Sequence, residues 1–143
     1  MKKLITLCLL LATTFATKAQ EMNFDETVKY INEKIECCSA FKTHRFEAKK
    51  NGDVTVYSPD GAPYVNFNFF DAEKEPNEHP IRSSMDKFGL AMVVSTEGYN
   101  CIEFNVHKKF IACIDTKLTA ERLFNALLHL RSLCTKVKDP FDK

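Results

Sequence analysis

Cysteine is the residue type with the clearest chemical potential in this chain, which contains six cysteines. Cys101 and Cys113 stand in two neighbouring runs whose apolar residues alternate, the pattern of antiparallel strands. The pairing that places apolar residues opposite each other is Ile102 with Ala112 and Phe104 with Phe110. The same pairing sets the two cysteines face to face, where Cβ atoms lie about 4.5–5.5 Å apart. Because that separation is close to disulfide distance, the pattern predicts a Cys101–Cys113 bridge. Two free thiols packed as small apolar side chains are the alternative.

The other cysteines and the histidines lack metal-binding spacing. Cys37 and Cys38 are adjacent, and so they do not have the C-x2-C spacing through which two thiolates hold one zinc ion. Cys38 and Cys134 each lie on the apolar stripe of a predicted helix, and burial of these two side by side is a second pairing to consider. The histidines form no H-E-x-x-H pattern and are scattered: His44, His79, His107 and His129. We therefore predict neither a metal nor a cofactor.

A polar segment from Asp71 to Asp86 contains two prolines and is predicted to be a long surface loop. Its carboxylates do not follow the spacing of an EF-hand, and it has no glycine for the sharp turn of a calcium loop. Long loops on a rigid scaffold often carry function, which makes this segment a candidate contact surface. Its candidate contact residues are Asp71, Glu73, Glu75, Glu78, His79 and Arg82.

No motif of nucleophilic catalysis is present. The chain has no G-x-S-x-G elbow, and its four glycines are too few to favour a phosphate-cradling loop. Ser83 and Ser84 are close to His79 in sequence, and Cys113 is close to His107, but catalytic pairs are formed in space and not in sequence. We assign no catalytic residue, and the sequence favours a protein that is not an enzyme.

The N-terminal segment, residues 1–19, has the composition of a secretory signal peptide. Lys2 and Lys3 form a basic start, an apolar run follows, and Ala19 ends a Thr-Lys-Ala cleavage signal. The apolar run is too short to span a bilayer. Cleavage before Gln20 would therefore leave an exported protein with no transmembrane anchor, in the periplasm or the medium, where disulfides persist.

The charge balance argues against a nucleic-acid partner. The whole chain has 20 basic and 19 acidic side chains, and the signal segment holds three of the lysines and no acid. The exported chain therefore has 17 basic and 19 acidic side chains, a net charge of −2. A nucleic-acid-binding domain normally carries a basic face, and docking on anionic lipid likewise needs basic clusters.

Residues 20–143 are predicted to form a single α+β domain that begins and ends with an amphipathic helix. Asn23 and Glu26 have the spacing of a capping box at the start of the first helix. The apolar stripe of that helix is Phe24, Val28, Ile31, Ile35 and Cys38. The last helix is predicted from Thr119 to Val137, with Thr119 as its cap. The apolar stripe of that second helix is Leu123, Leu127, Leu130, Cys134 and Val137.

Between the helices, alternating apolar residues predict about six strands. Asn51-Gly52 is the strongest hairpin signal, and Pro59-Asp60-Gly61 predicts the next turn. Short turns between consecutive strands imply an antiparallel meander, and the two helices are available to cover its apolar face.

This layout resembles the pleckstrin-homology-like architecture, in which a strand meander is closed by a C-terminal helix. The last helix also resembles the ending of small uncharacterised secreted bacterial proteins, in which the pattern Ala-x-x-His-Leu-x-x-Leu-Cys recurs. The residues that carry this resemblance are Ala126, His129, Leu130, Leu133 and Cys134, followed by Phe141. It implies no catalytic residue and no ligand.

The sequence thus favours a secreted or periplasmic, non-enzymatic module that binds another protein or an envelope component. A carrier that encloses a hydrophobic ligand between sheet and helices is the first alternative, because the strands are rich in phenylalanine. A small hydrolase is the second alternative.

Overall fold

The computed structural model describes residues 22–40, 44–71, 84–85, 90–104 and 109–137. The α+β class, with antiparallel strands and two covering helices, is confirmed, and seven strands occur in the described residues where the sequence predicted about six. The predicted signal segment, residues 1–19, lies outside the described residues. The elements are α1 (Phe24–Cys38), β1 (Arg45–Ala48), β2 (Asp53–Tyr57), β3 (Pro63–Asn68), β4 (Ser84–Met85), β5 (Leu90–Val94), β6 (Asn100–Phe104), β7 (Lys109–Ile114) and α2 (Lys117–Ser132).

The strands form two antiparallel sheets. Sheet 1 has the order β1-β2-β3 and sheet 2 the order β4-β5-β6-β7, so the chain meanders through each sheet in turn. The short strand β4 lies inside the segment that was predicted to be a loop from Asp71 to Asp86. The Phe67 ring of sheet 1 stacks on the Phe104 ring of sheet 2, with 4.3 Å between ring centroids. Buried side chains of both sheets and both helices join in one hydrophobic cluster.

The Asn51-Gly52 hairpin between β1 and β2 is confirmed. The Lys49 amide donates to Asp53 O (2.8 Å), and the Gly52 amide donates to Lys49 O (2.9 Å). Gly52 has φ +91°, a conformation that side chains with a Cβ rarely adopt. A Cβ at this position would also lie 2.8 Å from Phe70 Cε2, so both the turn and the packing require glycine.

Strands β6 and β7 confirm the predicted register over half of its length. Cys101 lies opposite Cys113 and Ile102 lies opposite Ala112, as expected. Beyond Ile102 the register shifts, and the predicted pairing of Phe104 with Phe110 is wrong. The shift inserts Ile111 as the extra residue of a β-bulge, and Ile111 is 1% exposed. The bulge therefore buries an apolar side chain that strict alternation would have placed among polar residues.

Helix α1 begins with the predicted capping box. Asn23 Oδ1 accepts from the Glu26 amide (3.1 Å), and Glu26 Oε2 accepts from the Asn23 amide (2.9 Å). Farther along, the Asn32 side chain contacts the backbone of Phe46 in β1. Its Oδ1 accepts from the Phe46 amide (2.9 Å) and its Nδ2 donates to Phe46 O (2.8 Å). A side-chain amide thus pairs with the outer edge of sheet 1 as a neighbouring strand would.

Helix α2 is displaced towards the N-terminus relative to the prediction. It begins at Lys117 after Thr116, whose hydroxyl donates to the Thr119 hydroxyl (2.8 Å) and does not cap the helix. It ends at Ser132, and beyond this residue the Thr135 amide donates to Lys50 O (2.7 Å) in the β1–β2 hairpin. Val137, predicted on the apolar stripe, is 69% exposed. In the described part of the chain, neither helix is long and apolar enough to cross a membrane.

Candidate functional site

The outward face of sheet 1 carries a groove with a volume of about 900 Å³. Alternation along β2 and β3 turns polar side chains to this face, while Val54, Val56 and Val65 point into the core. We call this surface the outer groove. Its principal lining residues are Lys49, Asp53, Thr55, Asn66, Asn68, Phe70, Asp71 and Lys136.

One end of the outer groove is organised around the carboxylate of Asp53. Asn51 Nδ2 donates to Asp53 Oδ2 (2.7 Å), and Asn68 Nδ2 donates to Asp53 Oδ1 (2.8 Å). Asn68 Oδ1 accepts from the Phe70 amide (2.9 Å), and Asp71 Oδ2 accepts from the Asn68 amide (3.0 Å). Two amides and two carboxylates therefore fix the hairpin and the turn after β3 in one arrangement.

The network changes the acid–base behaviour of its central carboxylate. Hydrogen bonds from Asn68 and then from Asn51 hold the pKa of Asp53 below its ordinary value, and the nearby Lys49 ammonium acts in the same direction. Both oxygen atoms of Asp53 accept hydrogen bonds from the protein itself. This carboxylate is consequently positioned as a structural anion, and its arrangement does not resemble a general base poised near neutral pH.

The middle of the outer groove is formed by Thr55 and Asn66, a directly opposed cross-strand pair. Asn66 is exposed and Thr55 is partly exposed. Their hydroxyl and amide groups are neutral hydrogen-bonding groups on rigid strands, the elements that hold a contact surface most precisely in place. Because the pair lies outside the Asp53 network, it can be altered without removing the hydrogen bonds of that network.

A smaller hollow of about 270 Å³ adjoins the outer groove at the edge of β1. It shares Lys49, Asp53 and Thr55 with the larger groove, so the two form one continuous surface across sheet 1. At its far end the Arg45 guanidinium lies over the Tyr57 ring, 4.6 Å from the centroid. A hydrogen bond to Glu47 raises the pKa of the Tyr57 phenol.

The last turn of α2 and the residues that follow it form one wall of the outer groove. Arg131 Nε donates to Phe69 O (3.3 Å), and its guanidinium lies 4.9 Å from the centroid of the Phe70 ring. Together with the bond from the Thr135 amide to Lys50 O, these contacts hold residues 131–135 against the hairpin. Lys136 is thereby brought to the rim of the groove.

The predicted bridge between Cys101 and Cys113 is present, and both residues are buried, at 0% and 3% exposure. Cys38 and Cys134, considered above as a second pair, are not bonded to each other, because Cys38 is bonded to Cys37. Cys134 is a free thiol whose Sγ lies 3.2 Å from Leu130 O, and burial raises the pKa of this thiol.

Of the predicted contact residues, only Asp71 falls in the described part of the chain, where it joins the Asp53 network. Glu73, Glu75, Glu78, His79 and Arg82 lie outside the described residues, as does His107. The two described histidines make different contacts in different parts of the fold. His129 Nε2 lies 2.8 Å from Met22 O, and the His44 ring packs edge-on against Tyr64 at 5.3 Å. Among the described residues no three His, Cys, Asp or Glu side chains cluster as metal ligands would.

The outer groove was not predicted from the sequence, although the sequence does indicate the polar strand face that forms its floor. The alternation in β3 assigns Asn66 and Asn68 to one face, and a strand face with two asparagines and a threonine opposite is suited to hydrogen bonding. The wall contributed by residues 133–137 left no signal, since the sequence pattern extended the helix through this segment. Comparison with protein-family models, curated proteins and solved structures finds no match to this chain.

Proposed function

We propose that this protein is an exported, non-enzymatic binding module and that the outer groove is its binding surface. The observation that carries the proposal is a groove of about 900 Å³ on the outward face of sheet 1, directly over a filled core. Volumes of this order accommodate ligands of small-molecule size or a segment of a polymer.

The chemistry of the outer groove fits a neutral ligand rich in hydroxyl groups. Its two lysines, Lys49 and Lys136, are matched in number by two aspartates, Asp53 and Asp71. Asn66 and Thr55 add neutral donors and acceptors, and the half-buried Phe70 ring adds an apolar surface. Hydrogen-bonding groups beside an aromatic surface suit a sugar ring, which has polar edges and apolar faces. An envelope glycan is therefore the ligand that we expect.

The packing of the core favours a binding module over a carrier of hydrophobic ligands. The space between the helices and the sheets holds large side chains that are almost completely excluded from solvent, such as Phe46, Phe69 and Phe104. A carrier would need that space for its cargo. The hydrolase alternative receives less support, because the described histidine rings each have a structural contact and lie in different parts of the fold.

Calorimetric titration with soluble envelope glycans tests the proposal. We expect binding to the wild-type chain and a loss of at least about tenfold in affinity when Asn66→Ala is combined with Thr55→Ala, since two direct hydrogen bonds are removed. Asn125→Ala removes an exposed asparagine from α2, away from the groove, and is the matched control. Undiminished binding by the double variant, or no binding of any glycan by the wild-type chain, would contradict the proposal.

A further inference from the structure

The last two residues of α1, Cys37 and Cys38, are joined by a disulfide between sequence neighbours. Cys37 is exposed, whereas Cys38 is half-buried and packs against the hydrophobic cluster. Directly after them the chain joins sheet 2. Ser39 pairs with Ile114, and the Ala40 amide donates to Cys113 O (2.8 Å).

This bond is unsuited to stabilising the fold. A disulfide stabilises a protein mainly by restricting the unfolded chain, and the effect grows with the length of chain that it closes. Cys37 and Cys38 are adjacent, so their bond closes only the small ring of these two residues, whereas Cys101 and Cys113 are twelve residues apart. A solvent-exposed disulfide that adds little to stability is, however, well placed for chemistry, because thiol–disulfide exchange depends on access to the sulfur that is attacked.

We propose that Cys37–Cys38 is a thiol-exchange site that accepts two electrons from a dithiol reductant, while Cys101–Cys113 stays oxidised. A thiolate of the reductant attacks the exposed Cys37 Sγ, and the bond between the two cysteine sulfurs breaks. Cys38 leaves as a thiolate and takes a proton from water. The second thiol of the reductant, as its thiolate, then attacks the reductant sulfur that is bonded to Cys37 Sγ. Cys37 is released and takes up the proton that the second thiol lost, and the reductant is left as a disulfide.

The surroundings of the pair accommodate the reduced state. Lys34 O lies 3.7 Å from Cys37 Sγ and is an acceptor for the hydrogen that reduction places on this sulfur. Reduction also opens the ring that links the last two helical residues. The two residues that follow Cys38 in the chain each donate a backbone hydrogen bond, from the Ser39 amide to Ile35 O (3.2 Å) and from the Ala40 amide to Cys113 O. We therefore expect the end of α1 to loosen on reduction while sheet 2 keeps its own bridge.

Differential alkylation of the folded full chain tests this site. The oxidised protein is exposed to dithiothreitol without denaturant, quenched with iodoacetamide at successive times and mapped by mass spectrometry. We expect labelling of Cys37 and Cys38 at least about tenfold sooner than labelling of Cys101 and Cys113. Equal rates, earlier labelling of the buried pair, or protection of Cys37 and Cys38 until the protein unfolds would each overturn the proposal.

Hydrogen exchange provides the second measurement, and it needs no variant that has to fold. Faster exchange at the Ser39 and Ala40 amides after brief reduction, with unchanged exchange in β6, supports the coupling of the pair to the end of α1. Unchanged exchange at both amides, or faster exchange throughout sheet 2, contradicts it.

Discussion

Sheet 1 keeps one face in solvent, whereas β6, one of the two inner strands of sheet 2, is buried on both faces. Along β2, the buried Val54 and Val56 alternate with partly exposed polar residues. In β6, four consecutive residues from Cys101 to Phe104 are buried, including the carboxylate-bearing Glu103 at 7% exposure. Both are inner strands of antiparallel sheets, so the difference lies in what covers them. Sheet 2 thus contributes the more deeply buried strand, and sheet 1 has the exposed face that carries the proposed binding surface.

The largest expected effect is at the junction of the two sheets. Phe104→Ala removes a fully buried ring that stacks on Phe67 and should destabilise the protein by about 3–5 kcal/mol. Thr55→Ala on the outward face should change stability by no more than about 0.5 kcal/mol. Urea unfolding followed by circular dichroism measures both. Similar losses for the two variants would remove the contrast between the sheets.

The two disulfides sharpen the same comparison. Replacing Cys101 and Cys113 by alanine should cost about 2–4 kcal/mol, because their bond closes a loop within sheet 2. Replacing Cys37 and Cys38 by serine should cost no more than about 0.5 kcal/mol, because the ring that their bond closes contains no residue besides these two. Thermal unfolding of the two double variants measures the stability that each disulfide contributes. A larger loss of stability for the Cys37–Cys38 variant would reverse the assignment of the structural and the reactive bond.

The turn at Gly52 in sheet 1 has little room for a side chain. Gly52→Ala adds a Cβ at φ +91° and 2.8 Å from the Phe70 ring, and should cost about 1–3 kcal/mol. Gly61→Ala is the matched control, since Gly61 has φ +81° but open space around its Cα. The difference in unfolding free energy between these variants isolates the close packing from the backbone strain. Equal costs would mean that the Phe70 ring moves aside freely.

The smallest expected effect is pH-dependent and lies in the outer groove. The pKa of Asp53 is lowered in the folded protein, so its carboxylate stabilises the fold above the ordinary value of 3.8, and this contribution is lost as the pH falls below it. Asp53→Asn places an amide opposite the Asn51 and Asn68 donors and should lower the melting temperature at pH 7. We expect that difference to shrink below about pH 4. The same substitution at the exposed Asp115 is the control, and a difference that persists in acid would show that the charge of Asp53 is not its cause.

The sequence predicted those features that depend on local pattern. The capping box of Asn23, the Asn51-Gly52 hairpin and the bridge of Cys101 with Cys113 follow from spacing and alternation, and all are present. The bulge at Ile111 was missed because strict alternation cannot indicate where an inserted residue gains burial in a core formed by distant elements. The candidate site was missed for a related reason. One of its walls depends on the hydrogen bond from the Thr135 amide to Lys50 O, and a local pattern does not indicate a contact between residues so far apart in sequence.

The bidentate contact of Asn32 with Phe46 bears on how this chain behaves in a crowded compartment. In the described part of the chain, β1 has a strand neighbour on one side only, and such an edge is a template for pairing with another chain. Asn32 occupies both backbone groups of Phe46, so an incoming strand must first displace a helix-borne amide. This protection exists only while α1 is docked. A chain whose helix has not yet formed leaves the edge of β1 open to pairing, and its tendency to aggregate should depend on how quickly α1 reaches sheet 1 during folding.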